Sequence, residues 1–244
     1  HAGASYRPFL EAARDPERLA IAEINPRMPR VDGIEAFGRN RIHVSQVDAF
    51  YEHASDLTAL PDAPASAEDL AIARHVCERI PPGATLQFGI GSIPNEIARI
   101  LARGSGGGYG IHTEMISDGV MLLHREGKVA NRKPLYDGLS VATFALGSTA
   151  LYEWIDGHPE VRILPVTEVN ETRVLQQLPG LVSVNAALAV DLFGQVAADA
   201  IGGAPDSGAG GRGGVSGAGA GGPGGPGALS PPPAAPGRGG RAAA

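Results

Sequence analysis

Leu86-Gln-Phe-Gly-Ile-Gly-Ser-Ile-Pro-Asn95 runs from a strand pattern through two spaced glycines into the start of a helix. Thr85-Leu-Gln-Phe88 is the expected strand, and Pro94 to Ala102 the expected helix. Pro94 stands near the first helical position, where its missing N–H costs nothing. Glycines at such a turn let the backbone approach a ligand, and the free N–H groups of the helix start favour an anion or oxyanion. A dinucleotide fingerprint would need a third glycine, but the spacing gives Gly89, Gly91 and then Pro94, with no clear ribose-binding acid after a second strand. A nicotinamide site is therefore disfavoured. A tight strand-to-helix turn without any ligand stays open as the simpler reading.

The alternation continues on both sides of this unit. Upstream, Ser66 and Asp69 are spaced as a capping box ahead of a helix with Leu70, Ile72, Ala73, Val76 and Ile80 as its apolar residues, ended by Pro81-Pro82-Gly83. Before it, Leu19 to Ile24 reads as a buried strand stopped by Asn25-Pro26, and Ile42 to Val47 as a second strand; Pro61 to Ala65 is a plausible linker. Downstream, Gly110 to Glu114 is extended, Val120 to Glu126 helical, Ser140 to Ala145 a strand and Thr149 to Ile155 a helix. Val161 to Val166 and Leu181 to Asn185 are further strands. Strands and helices alternating at this spacing predict an α/β layer with a largely parallel sheet.

Composition narrows the function. A net charge of −6 gives no reason to expect nucleic-acid or general membrane binding, although helix N-termini can still hold a small anion. A single cysteine, Cys77, excludes an internal disulfide and a thiolate metal cluster, and fits a reducing cytoplasm. No apolar run approaches the roughly 20 residues that span a bilayer. From residue 203 to 244 the chain holds 16 Gly and 7 Pro in 42 residues. Such a stretch cannot bury enough apolar surface to offset its ordering entropy, so disorder is expected there.

Two further segments could carry chemistry. In Gly110-Ile-His-Thr-Glu-Met-Ile-Ser-Asp-Gly119, Glu114 sits within a mostly apolar strand-like stretch, just before a polar turn at Ser117-Asp118-Gly119. The C-terminal edge of a strand in an open α/β sheet is the usual place for a functional carboxylate, but a solvated or ion-paired edge residue fits too. His112 falls on the same strand face and could orient the carboxylate or serve as a satisfied structural histidine. In Val182 to Val196, Asn185 and Asp191 fit turn or cap chemistry. Ser117 and Ser148 lack a neighbouring His–acid arrangement, so no hydrolase triad is expected.

Together these segments resemble the acetyl-CoA hydrolase/transferase family, and within it the 4-hydroxybutyrate CoA-transferase-like members. The matching pieces are Ile21-Ala-Glu-Ile-Asn-Pro-Arg-Met-Pro29, Leu86 to Pro94, Gly110 to Gly119, Ala142-Thr-Phe-Ala-Leu-Gly-Ser148 and Val184-Asn-Ala-Ala-Leu-Ala-Val-Asp-Leu-Phe-Gly-Gln-Val196, in family order across about His1 to Gly202. The resemblance implies an α/β fold with CoA-transferase-type open, largely parallel sheets in two domains. Residues 1–60 would be the remainder of the N-terminal domain, 61–202 the first part of the C-terminal domain, and 203–244 a low-complexity tail. Both domains would be incomplete, leaving apolar faces and strand edges uncovered, so low stability or aggregation is expected of the chain alone.

The same resemblance implies that Glu114 is the nucleophile of coenzyme A transfer between a short-chain acyl-CoA and a carboxylate. It marks Gly89, Ile90, Gly91, Ser92 and Ile93 as the CoA-contacting loop, and Asn185 as a further contact. Ser207-Gly-Ala-Gly-Gly211 matches the beginning of another CoA-contacting segment, which adds Gly208 and Gly210. There Arg212-Gly-Gly-Val215 replaces the polar, acidic and aromatic residues of the family pattern. No metal and no permanently bound cofactor is implied; CoA and acyl-CoA are substrates. The implied partners are an acyl-CoA and a carboxylate, with a homo-oligomer in the full-length protein and a cytoplasmic location. Acetyl-CoA hydrolysis by the same glutamate, or a catalytically inactive fragment, are the alternatives.

Overall fold

The computed structural model describes residues 6–37, 40–60, 64–89, 91–187, 189–193, 195–197, 200–201, 204–205 and 228–230. The parallel α/β layer centres on the strand of the glycine turn, β3 (Thr85–Phe88), all four of whose residues are buried. β3 pairs in parallel with β4 (Gly110–Ile111) on one side and β9 (Leu181–Ala186) on the other. Outside β9 lies β14 (Ala228–Ser230), again parallel. A single parallel bridge from His112 to Val141 carries the pairing on to β6 (Ser140–Ala142), which pairs with β8 (Val161–Ile163). A strand covered on both faces must be apolar or internally bonded, and β3 shows both: Leu86 and Phe88 enter the core, while Gln87 bonds to β9.

The helices between residues 67 and 155 form close to where local signals predict them. Val166, expected to end a strand, instead begins a short helix, because the strand stops at Ile163 ahead of Pro165. Ser66 caps α2 (Ala67–Cys77): its hydroxyl accepts from the Asp69 N–H while the Asp69 carboxylate accepts from the Ser66 N–H, both at 3.1 Å. Helix α3 (Ser92–Arg103) buries Ile93, Ile97, Ala98 and Leu101, against α2 on one side and α4 (Asp118–Arg125) on the other. The α3–α4 approach depends on Gly119, where an added Cβ would lie 2.8 Å from the Ala98 Cβ. Helix α5 (Thr149–Ile155) starts at Ser148, whose hydroxyl accepts from the Leu151 N–H. The other α-helices among the described residues are α1 (Tyr6–Ala12), α6 (Val166–Val169) and α7 (Thr172–Leu175).

Two strand expectations in the first 60 residues need correction. Leu19 to Ile24 does contain a strand, β1 (Ile21–Ile24), but it is not buried: Ile21 is 53% and Ile24 44% exposed. Among the described residues it pairs only with β2 (Ala49–Glu52), whose Phe50 and Tyr51 are exposed as well. Ile42 to Val47 is not a strand; Val44–Gln46 is a turn of 3-10 helix. His43 is the cause. Its Nδ1 accepts from the Ser45 N–H, and the Gln46 side chain accepts from the His43 N–H at 2.8 Å, satisfying groups that a strand would offer to a neighbour.

The chain on either side of this turn docks on the main layer. Arg30 and Asp32 carbonyls accept from Gly157 and Ile163, and the Tyr152 hydroxyl donates to the Thr58 carbonyl. Most of the expected disordered tail, together with residues 61–63 of the expected linker, lies outside the described residues. Within 203–244, Ala204–Pro205 forms β13, paired antiparallel with β12 (Ala200–Ile201), and 228–230 forms β14. No helix among the described residues is long and apolar enough to cross a membrane.

Candidate active site

Glu114 lies at a break in the sheet. The strand bearing it is β4 up to Ile111 and resumes as β5 (Met115–Ile116); its neighbour breaks opposite, between β6 and β7 (Phe144–Ala145), and β5 pairs with β7. At the bend the Glu114 carbonyl accepts from the Thr143 N–H at 2.9 Å, the Thr143 hydroxyl at 2.8 Å and the Phe144 N–H at 3.3 Å. The Glu114 side chain is half-buried. Its Oε2 accepts from Asn170 Nδ2 at 2.7 Å. A carboxylate only accepts, so the amide nitrogen must face it. Asn170 is buried at the C-terminal end of α6, and its Oδ1 has no partner among the described residues.

His112 takes the structural role rather than orienting the carboxylate directly. Fully buried, its Nε2 lies 2.9 Å from the Val169 carbonyl, one residue before Asn170, and its ring stacks on Tyr136. Burial pushes this imidazole down to about 4, opposed by the Val169 bond and reinforced by the Lys133 ammonium. At neutral pH it is uncharged, with its proton on Nε2. Lys133 is itself held down to about 8 by burial, against the pull of Asp137, and its Nζ donates to the Leu135 and Tyr136 carbonyls.

The glycine turn meets the Glu114 bend through Thr113. The Thr113 hydroxyl accepts from the Phe88 N–H at 3.2 Å and donates to the Phe88 carbonyl at 3.1 Å. One residue beyond each partner stand Gly89 and Glu114. Gly91, at φ +117° and ψ −178°, occupies backbone space that side chains disfavour and forms the N-cap of α3 without any side-chain cap bond. Ser92 and Ile93 follow as the first helical residues. Ile90, Gly208 and Gly210 lie outside the described residues.

Asn185 sits in β9 beside Gly89, which donates its N–H to the Val184 carbonyl. The Asn185 amide is engaged inside the protein: Nδ2 lies 2.7 Å from the Ser183 hydroxyl and 3.1 Å from Gln87 Oε1. This is buried strand chemistry, not a turn. Asp191 does hold a turn, between β10 (Ala189–Val190) and β11 (Val196–Ala197), with its carboxylate accepting from the Phe193 and Gln195 N–H groups. Asn170, Thr113 and Thr143 carry no sequence signal; each is assigned by a contact that only the folded chain makes.

Among the described residues, no three His, Cys, Asp or Glu side chains are grouped to hold a metal ion. A cleft of about 360 Å³ opens between Pro26–Pro29, Asp56–Leu57 and α5, but Glu114 and Asn170 do not line it.

Residues 147–229 match the family described as the acetyl-CoA hydrolase/transferase C-terminal domain. The chain is also 37% identical over 204 residues to 4-hydroxybutyrate coenzyme A transferase of Clostridium kluyveri, which covers 83% of this chain and 46% of that protein. The chain belongs to the acetyl-CoA hydrolase/transferase family. A probable butyrate:acetyl-CoA coenzyme A-transferase of Syntrophomonas wolfei is 35% identical, over 82% of this chain and 44% of the relative. The crystal structure of RipA from Yersinia pestis is similar in fold at a TM-score of 0.82 and 33% identity, over 96% of this chain and 51% of that one. The chain spans about half the length of the curated relatives it matches.

Proposed function

We propose that this chain forms part of a coenzyme A transferase that moves CoA between a short-chain acyl-CoA and a carboxylate through Glu114. The observation that carries the reading is the placing of a half-buried carboxylate at a sheet break, tied by Asn170 and adjoining the glycine turn of α3. In that reading the Glu114 carboxylate attacks the thioester carbonyl, and the C–S bond breaks to give an acyl-glutamyl anhydride and CoA thiolate. The thiolate then attacks the glutamyl carbonyl, forming a glutamyl-CoA thioester and releasing the first carboxylate. A second carboxylate runs the sequence backwards and leaves as its CoA ester. The covalent route divides one difficult exchange into easier steps.

Gly89 to Ile93 would hold CoA, with the uncapped N-terminus of α3 offering N–H groups to an anion or a developing oxyanion. Family pattern adds Asn185, Gly208 and Gly210. Because its side-chain amide is engaged by Gln87 and Ser183, Asn185 would act chiefly by shaping the wall beside Gly89. In the same reading, residues 1–60 finish one CoA-transferase domain and 61–202 begin the next.

Hydrolysis by the same glutamate is the second reading, favoured by the hydrolase half of the matched family's description. The two differ in the final acceptor. Thioester loss from acetyl-CoA, followed with and without added butyrate, separates them. Formation of butyryl-CoA supports transfer, and loss independent of butyrate supports hydrolysis. No thioester loss under either condition would sink both.

A further inference from the structure

We propose that Thr143 is a positioning residue for Glu114, an inference that rests on the assignment of Glu114 as nucleophile. The Glu114 carboxylate has to serve first as attacking group and then, as anhydride and thioester, as the group attacked. Its geometry therefore matters twice, and a misplacement of about 1 Å can cost about a hundredfold in rate. The side chain is tied through Asn170. What holds the backbone beneath it is a separate question.

At this point ordinary sheet pairing is interrupted on both strands, between β4 and β5 and between β6 and β7. Thr143 fills the gap with two donors of its own, backbone N–H and hydroxyl, both on the Glu114 carbonyl at 2.9 and 2.8 Å. On the opposite side Thr113 ties the same bend to Phe88. Both threonines are 1% exposed, so their hydroxyls would carry a desolvation penalty without these bonds. Valine has the same shape and suits an extended backbone at least as well. The Thr143 hydroxyl is what valine lacks, and it clamps the peptide unit from which Glu114 projects.

The test is the rate of glutamyl-CoA formation from acetyl-CoA, read by intact mass on the full chain, in wild type, T143V, T143A and T143S. Thermal melting is measured alongside. If Thr143 positions Glu114, rate follows the hydroxyl: T143V and T143A slow adduct formation by about ten- to a hundredfold, while T143S stays within about threefold of wild type. The acyl-CoA concentration for half-maximal rate stays unchanged throughout, because the loop that holds CoA is untouched. A wild-type rate in T143V, or equal slowing in T143V and T143S, overturns the proposal while Glu114 stands as nucleophile. A rate that simply tracks melting temperature also overturns it. Failure of the wild-type chain to form any adduct overturns the Glu114 assignment, and the role of Thr143 with it.

Discussion

Lowering the pH from 8 to 5 removes stability through two buried histidines. Burial holds His112 and His124 down to about 4, with His158 adding to the effect at His124. In the unfolded chain both take up a proton near 6.5. A folded value below the unfolded one means that stability is complete above about 6.5 and is lost as pH falls towards 4, because the unfolded chain binds the extra proton first. By that linkage each histidine costs about 2 kcal/mol at pH 5, or about 4 kcal/mol together. That is a large part of the roughly 5–15 kcal/mol typical of a domain.

The surroundings refine the figure. His112 has the Val169 carbonyl on Nε2, the Tyr136 ring on its face and the Lys133 ammonium nearby, and its Nδ1 has no hydrogen-bond partner among the described residues. His124 faces the Ser140 hydroxyl, the Trp154 and His158 rings, and Glu160 at 3.7 Å from Nδ1. The assay is urea unfolding at fixed ionic strength at pH 8, 6.5 and 5, for wild type, H112Q and H124Q. Wild type should lose about 4 kcal/mol across this range and each variant about half as much. An identical pH dependence in all three proteins would refute the reasoning.

Removing the Asn170 amide in N170A should slow glutamyl-CoA formation by about ten- to a hundredfold, the equivalent of a charge-assisted bond of about 1.5–3 kcal/mol; rapid-quench mass analysis reads the rate, and a wild-type value would contradict the contact's importance. At Gly147 an added Cβ would run into Asp118 Oδ2 and would lie 2.7 Å from Leu151 Cδ2. G147A should therefore destabilise by at least about 1–3 kcal/mol, seen as a lowered melting temperature. S66A, which breaks the reciprocal cap of α2, should lower the urea midpoint by the equivalent of about 1 kcal/mol. An unchanged midpoint would mean the capping bonds are replaced by water at no cost.

Features set by near neighbours in the chain were legible in the sequence. The Ser66–Asp69 cap, the β3 strand and its glycine turn, and the start of α5 at Ser148 all follow from residues within one turn of one another. Features set by distant partners were not. The apolar pattern of β1 predicts burial, but exposure depends on what lies over it. His43 redirected the next segment through side-chain bonds that an alternation of residue types does not reveal. The bend at Glu114 looks continuous in sequence because Thr113 and Thr143 both suit strands. Asn170 lies 56 residues from Glu114, and nothing in its local context marks it out.

The proposed transfer chemistry depends on Glu114 as the acyl-accepting nucleophile. Intact mass of the full chain after incubation with acetyl-CoA, beside an E114A control, tests it most directly. A covalent CoA adduct is expected on the wild-type chain, mapping to the Gly110–Gly119 segment and absent from E114A. An adduct that persists in E114A, or a folded wild-type chain that consumes acetyl-CoA without ever carrying CoA, would contradict it.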